Sequence, residues 1–122
     1  MVTKKTFNKE KGDVGEVLAI SHLLENGFTL LETNYKCSYG EIDIIASKKS
    51  VIHFIEVKYR RSKNFGLGRE AVGPAKQKTI RNVALKYLQA RRLYDEVDIS
   101  FDVIDIVGDV ADFELEHMEG CF

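Results

Sequence analysis

Two carboxylates and a lysine stand at a spacing that could hold a metal ion. Asp43 lies in the segment GEIDIIA, and Glu56 and Lys58 lie in the segment FIEVKYR that follows it. Both segments are rich in β-branched residues and predict two strands, which we expect to form a hairpin joined at Lys48-Lys49. Because side chains alternate along a strand, Glu56 and Lys58 share one face of theirs.

The turn decides whether these side chains converge. A two-residue turn at that point would set Asp43 opposite Phe54 and Glu41 opposite Glu56. Asp43 would then be a diagonal neighbour of Glu56, with about 7–8 Å between backbone carbons. A turn of odd length would move one strand's side chains to the other face and separate the group.

Carboxylates brought together in half-buried strands repel each other unless a positive charge neutralises them. A hard divalent cation such as Mg²⁺ prefers oxygen ligands, activates water and offsets charge that develops on a phosphorus centre. Lys58 could orient or deprotonate the attacking water, or stabilise the phosphoryl group. The alternative is a surface salt-bridge ladder of Glu41, Asp43, Glu56 and Lys58 with no metal.

The flanking elements predict an α/β fold. The pattern indicates the order α-β-β-β-α-β and therefore a mixed central sheet flanked by helices. The expected elements are a helix capped by Asp13 and ended at Asn26-Gly27, strands at 28–35, 40–47 and 51–59, a helix from Pro74 to about Arg92, and a strand at 97–107. Residues 60–73 are interpreted as a basic, glycine-containing loop. Residues 1–122 form one expected domain, with 1–11 a loose arm and 108–122 an acidic, unassigned tail.

Composition fits a soluble globular protein, with 44% hydrophobic and 30% charged residues. No segment approaches the roughly 18 apolar residues of a membrane-spanning helix, and the N-terminus does not resemble a secretory signal. Cys37 and Cys121 stand without a metal-binding or disulfide framework, which favours the cytoplasm. All 18 Lys and Arg lie in residues 1–92, whereas residues 93–122 hold only acids among the residues that are charged at pH 7. A basic body of this kind could face nucleic acid, or its charges could be solvated surface.

GEIDIIA, FIEVKYR, a following FG and the helix start AKQKTI together resemble the YraN-like family of predicted endonucleases. That family looks like a branch of the PD-(D/E)xK nuclease superfamily, which includes Holliday junction resolvases and restriction endonucleases. The resemblance covers about Gly12 to Ile106. It implies a restriction-endonuclease-like αβββαβ core.

The resemblance also implies roles for individual residues. Asp43 and Glu56 become metal ligands and Lys58 becomes the catalytic lysine. Glu16, in the first helix, matches a catalytic glutamate that resolvase-like relatives direct towards the metal, although with Asp13 it could instead form a capping box. The chain departs from the family at two positions: Ile42 stands where proline is common, and Ser100 stands where arginine is expected.

Six residues are predicted to bind nucleic acid through phosphates. They are Arg60, Arg61, Lys63, Arg69, Lys76 and Gln77. The alternatives are solvated charges for the cations and a sheet-edge hydrogen bond for Gln77. Four other polar residues are assigned no catalytic role: His53 is expected to pack, His117 has no identifiable partner, and Asp102 and Asp105 are interpreted as structural or surface acids.

These observations predict a Mg²⁺- or Mn²⁺-dependent endonuclease that acts on DNA, with branched or junction DNA as one substrate class. The expected partner is nucleic acid, with no membrane, and a homodimer would supply the two sites that cutting two strands needs. The alternative is a non-catalytic nucleic-acid-binding or assembly module on the same fold. A glycosidase is a distant third hypothesis because the chain has no Trp to form a sugar platform.

Overall fold

The computed structural model describes residues 4–61 and 72–122, with side chains from residue 14 onward within those ranges. The predicted αβββαβ order is confirmed, and one further strand follows it. The elements are α1 (Lys4–Glu25), β1 (Thr29–Cys37), β2 (Gly40–Lys48), β3 (Val51–Arg60), α2 (Pro74–Ala90), β4 (Asp98–Asp109) and β5 (Asp112–Met118).

The five strands form one mixed sheet in the order β1-β2-β3-β4-β5. All neighbouring pairs are antiparallel except β3 and β4, which are parallel. Parallel neighbours require a crossover connection, and α2 lies in the segment that provides it. The result is an α/β fold with two helices, consistent with a restriction-endonuclease-like architecture.

Each face of the sheet packs against one helix. On the α2 face, Ile42, Ile45, Ile52, Phe54 and Val103 meet the helix. The buried face of that helix has the spacing of an amphipathic helix and consists of Ile80, Val83, Ala84, Tyr87 and Leu88. On the α1 face, Ala19 and Leu23 pack on strand residues that include Ile44, Ile55 and Ile104. Among the described residues, neither helix has the long apolar run that crossing a membrane requires.

The ends of the chain differ from the sequence-based expectations. Helix α1 begins at Lys4 and not at Asp13, so residues 4–11, expected to form a loose arm, continue the helix. The unassigned segment 108–122 contributes β5, which pairs with β4 along the sheet edge. The sequence did not predict this strand because its alternating residues are acids. They lie on the solvent side of an edge strand, where polar residues are tolerated.

The turn of the β2–β3 hairpin also differs from the prediction. Its two residues are Lys49 and Ser50, with φ of 51° and 68°, and not Lys48-Lys49. Two positive φ values suit a two-residue hairpin turn. The shift makes Ile45 the partner of Phe54, where Asp43 was expected. The register brings buried isoleucines opposite buried apolar residues, and because the turn still has two residues, the residues paired between β2 and β3 keep their faces.

Helix α1 approaches the sheet closely at Gly15. A Cβ added there would lie 2.8 Å from the Tyr59 Cβ. We expect Gly15→Ala to lower the free energy of unfolding by about 1–3 kcal/mol, because overpacking outweighs the helix propensity gained. Urea unfolding measures this change, with Ser21→Ala, at an exposed position of the same helix, as the control. A more stable Gly15→Ala protein would contradict the close approach.

Candidate active site

Strand β2 changes face at Asp43. Regular alternation would put Ile42 and Ile44 on one side of the sheet, yet Ile42 packs on the α2 side and Ile44 on the α1 side. On β1, Asn34 lies between the residues paired with these two and has φ of 52°. The β2–β3 ladder runs from the turn only as far as Ile44 and its partner. The distortion therefore frees Asp43 from regular pairing.

The Asp43 carboxylate is held by the neighbouring strand. The backbone N–H of Val57 donates a hydrogen bond to Asp43 Oδ2 at 2.9 Å. This bond fixes the carboxylate beside Glu56, which precedes Val57 in β3. Asp43 and Glu56 therefore converge, as the sequence predicts. The cause is a strand distortion and a backbone hydrogen bond, and not the predicted diagonal pairing.

Glu56 points into the α2 side of the sheet and is 4% exposed. Its Oε2 lies 3.8 Å from the Nζ of Lys76, in the first turns of α2. Within residues 14–61 and 72–122, no hydrogen-bond partner reaches Glu56 Oε1. A buried carboxylate oxygen without a donor is costly, so this oxygen fits a site completed by a cation.

The electrostatics of the two carboxyls reflect the same crowding. Burial raises the pKa of Glu56 to about 7, and the neighbouring Asp43 adds to this, whereas Lys76 and Lys58 oppose it. Burial also raises the pKa of Asp43, against the opposing hydrogen bond from Val57. The two lysines therefore only partly neutralise the carboxylates, and a divalent cation would complete the neutralisation.

Glu16 approaches the same distortion from α1. The Asn34 side-chain amide donates to Glu16 Oε2 at 3.4 Å, and the β1–β2 register places Asn34 opposite Asp43. Glu41 is exposed and lies 3.7 Å from Lys36, and its charge also raises the pKa of Asp43 and of Glu56. The role of Glu16 as a ligand stays a prediction.

The residues predicted to bind nucleic acid have different surroundings. Arg60, the last residue of β3, forms a bidentate ion pair with Asp105, at 2.9 and 3.2 Å. The side-chain amide of Gln77 donates to the Val72 carbonyl oxygen at 2.9 Å, which ties α2 to the preceding chain. Arg61 and Lys76 are exposed. Lys63 and Arg69 lie outside the described residues.

Asp105 is therefore a structural acid, as expected, and Arg60 has a structural partner. Whether Arg60 also contacts nucleic acid stays a prediction, and only 21% of its side chain is exposed. Among the predicted nucleic-acid-binding cations that the structure describes, Arg61 and Lys76 are exposed, and Lys76 lies beside Glu56.

A second group of titratable side chains lies on the α1 side of the sheet. Asp102 Oδ2 is 2.6 Å from His53 Nδ1 and 2.7 Å from His117 Nε2. Glu119 Oε1 lies 3.6 Å from His53 Nδ1. One ligand atom from each of these four residues lies within 4.8 Å of the others, so this His/Asp/Glu group could hold a metal ion.

This group was missed because its members are far apart along the chain. The sequence did offer one signal of this group. The apolar segments VIHFI and FDVIDI each place a polar residue, His53 and Asp102, at an inward position, and buried polar groups need partners. The partner His117 could not be identified while residues 108–122 lacked an assigned strand. Ser100, the departure from the expected arginine, donates a hydrogen bond to Asp102 Oδ1 at 2.5 Å.

Comparisons with known proteins agree with the resemblance drawn from the motifs. The profile described as "Uncharacterised protein family UPF0102" matches residues 15–106. A UPF0102 protein of Clostridium perfringens strain 13 is 45% identical over 120 residues, which cover 97% of this chain and 98% of the relative. One from Syntrophus aciditrophicus is 46% identical over 87% of this chain and 83% of its own. One from Alkaliphilus oremlandii is 42% identical over 95% of this chain and 100% of its own. The chain therefore belongs to the UPF0102 family, the YraN-like family that its motifs resemble.

Proposed function

We propose that this protein is a Mg²⁺- or Mn²⁺-dependent nuclease that hydrolyses phosphodiester bonds in DNA at Asp43, Glu56 and Lys58. The observation that carries the proposal is the pair formed by buried Glu56 and half-buried Asp43, which the two neighbouring lysines neutralise incompletely. Neither lysine gives Glu56 Oε1 a hydrogen bond within the described residues. A salt-bridge ladder on the surface would leave these carboxylates exposed, whereas Glu56 is buried.

Asp43 and Glu56 would hold the cation, and Glu16 is a further candidate ligand from α1. A bound divalent cation would activate water and offset the charge that develops at phosphorus. Lys58 shares the strand face of Glu56 and acts electrostatically on both carboxyls. From that position its ammonium group would orient the attacking water or donate to a phosphoryl oxygen in the transition state.

Lys76 beside Glu56 and Arg61 at the end of β3 would hold the DNA backbone. Lys76 lies in the first turns of α2, where the helix dipole also favours a phosphate. Arg61 follows the last residue of β3 and is exposed. Such contacts position a strand but do not read its sequence, so structure-selective cleavage of branched DNA fits this arrangement better than recognition of a base sequence.

A cleavage panel tests the proposal directly. Purified protein is incubated with junction, flap, duplex and single-stranded DNA in Mg²⁺, in Mn²⁺ and in EDTA. We expect cleavage of at least one substrate with metal and none in EDTA. Absence of cleavage on every substrate, together with salt-dependent DNA binding, would favour the non-catalytic binding module instead.

Metal binding should depend on Asp43. We expect Asp43→Asn to remove a Mn²⁺ site that calorimetric titration detects, because one anionic ligand is lost while the acceptor for the Val57 N–H is kept. The titration is done in a His117→Gln background, so that the second group does not contribute. Glu25→Gln, an exposed carboxyl of α1, is the control. Equal Mn²⁺ binding by Asp43→Asn would contradict the ligand assignment.

DNA binding should lose salt dependence when the exposed cations Arg61 and Lys76 are removed. We expect Arg61→Ala with Lys76→Ala to reduce the slope of log affinity against log salt by about 2, because each phosphate contact releases roughly 0.9 counterion. Fluorescence anisotropy at several salt concentrations measures the slope. Lys86→Ala with Arg92→Ala, two exposed cations near the other end of α2, is the matched control. An equal decrease in slope for both double variants would show that DNA binding depends on net charge and not on these two positions.

A further inference from the structure

The second group combines ligands from three strands and the segment after β5. His53 comes from β3, Asp102 from β4 and His117 from β5, and Glu119 lies just beyond that strand. Asp102 is fully buried, and the two histidine side chains are 6% and 8% exposed. His53 and Glu56 are three residues apart in β3 and so point to opposite faces of the sheet. The second group is therefore separate from the proposed nuclease centre.

The ligand atoms indicate the class of cation. Two imidazole nitrogens with two carboxylate oxygens suit a borderline cation of the Zn²⁺ type, whereas Mg²⁺ prefers oxygen alone. Tetrahedral bonds of about 2.0–2.2 Å separate neighbouring ligand atoms by roughly 3.3–3.6 Å. The 3.6 Å between His53 Nδ1 and Glu119 Oε1 matches this spacing closely. Asp102 Oδ2 must move away from each imidazole by somewhat more than half an ångström, which side-chain rotation accommodates.

The surroundings of Asp102 would orient it for such a role. Its Oδ1 accepts hydrogen bonds from Ser100 Oγ at 2.5 Å and from the Gly120 backbone N–H at 3.2 Å. These bonds leave Oδ2 directed at the imidazoles and resemble the supporting hydrogen bonds that orient metal-binding carboxylates. A surface cavity of about 350 Å³ lies beside the group and is lined by His53, Ser100 and Glu119, and also by Lys48 and Lys49.

We propose that His53, Asp102, His117 and Glu119 bind a Zn²⁺-class cation, which clamps the end of the chain to the sheet. The cation would link β3 and β4 to β5 and to the segment that follows it. Asp102 Oδ2 already faces an imidazole nitrogen of each histidine, so these three ligand atoms are gathered before the cation binds.

The test uses the full chain, stripped of metal with a chelator and then titrated with Zn²⁺ and Co²⁺. We expect calorimetry to show a Zn²⁺ equivalent that His117→Gln removes, together with the intense visible absorption of tetrahedral Co²⁺ and a higher Tm with Zn²⁺. His117→Gln should abolish the absorption. Ser100→Ala should weaken affinity about 10-fold, as loss of a supporting hydrogen bond does. Glu119→Gln, at an exposed position that does not threaten folding, should also weaken binding.

Two control variants test whether Zn²⁺ binds at these four residues and not elsewhere. His22→Gln changes a histidine whose ring centroid lies 6.3 Å from that of His117 but which is not one of the four ligands, so Zn²⁺ binding should be unchanged. Glu56→Gln should also bind Zn²⁺ normally, because it alters only the other centre. The proposal is overturned if wild type gives no tetrahedral Co²⁺ spectrum, or if Glu119→Gln and His117→Gln bind like wild type. The group would then be a hydrogen-bonded triad that supports β5 without metal.

Discussion

Replacing Lys58 with alanine should lower the rate of DNA cleavage by at least about 100-fold while metal binding persists. Electrostatic stabilisation removed from a transition state costs roughly 10²–10³ in rate. An interaction made mainly in the transition state affects rate more than ground-state binding. DNA affinity should fall only modestly, since Arg61 and Lys76 remain. Mn²⁺ affinity should stay equal or rise slightly, because a positive neighbour of the carboxylates is gone.

Single-turnover cleavage of the preferred substrate measures the rate, and calorimetry measures Mn²⁺ binding. Lys86→Ala removes an exposed lysine from the far half of α2 and should cleave at the wild-type rate. Lys58→Arg separates two roles of the lysine. An arginine keeps the positive charge but cannot act as a base, so partial activity would indicate charge stabilisation. Wild-type cleavage by Lys58→Ala would show that the lysine is structural and that the proposed mechanism is wrong.

Glu56→Gln should stabilise the metal-free protein at alkaline pH. The pKa of Glu56 is raised from 4.5 to about 7 in the folded protein. A raised carboxyl pKa means that folding favours the protonated form, so the free energy of unfolding falls as pH rises from 4.5 through 7. The full difference amounts to roughly 3 kcal/mol, since each pKa unit corresponds to about 1.4 kcal/mol. The free energy of unfolding of Glu56→Gln would not fall in this way, because the amide of a glutamine side chain does not ionise.

Urea unfolding in EDTA at pH 4.5 and pH 8.5 measures the effect. We expect the variant to gain stability over wild type at the higher pH only. Glu96→Gln, an exposed carboxyl, should show no such pH-dependent gain. Added Mn²⁺ should then stabilise wild type more than Glu56→Gln, because only the wild type offers the full anionic site. A stability difference that is the same at both pH values would mean that ionisation of Glu56 does not lower the free energy of unfolding.

The two proposed metal-binding groups use different features of one sheet. Asp43 and Glu56 meet on the α2 side where the β2–β3 ladder ends, while Asp102 and its histidines lie on the α1 side. Their ligand chemistry differs accordingly, with oxygen ligands at the first group and mixed nitrogen and oxygen ligands at the second. Zn²⁺ bound at the second group would stabilise the edge of the sheet without entering the proposed reaction. Separate variants at Glu56 and His117 can therefore tell their contributions apart.

Local sequence patterns predicted α1, β1 to β4 and α2 and the faces of most of their side chains, but not β5 or the change of face at Asp43. Glu56 and Lys58 share a face because strands repeat every two residues, and the buried stripe of α2 follows from the helical repeat. These periodicities are local properties of the chain, so they survive a wrong turn assignment. The shift of the hairpin turn to Lys49-Ser50 changed the β2 partner of Phe54 but left its face the same.

The contacts that these faces make with distant segments depend on the tertiary structure. The rotation of β2 at Asp43, the pairing of Arg60 with Asp105 and the meeting of His117 with Asp102 all depend on strand order and register. Local periodicity carries no information about them, because a polar residue on an inward face can be satisfied by any strand that comes to lie beside it. The cost of burying an unpaired polar group selects the arrangement in which partners meet.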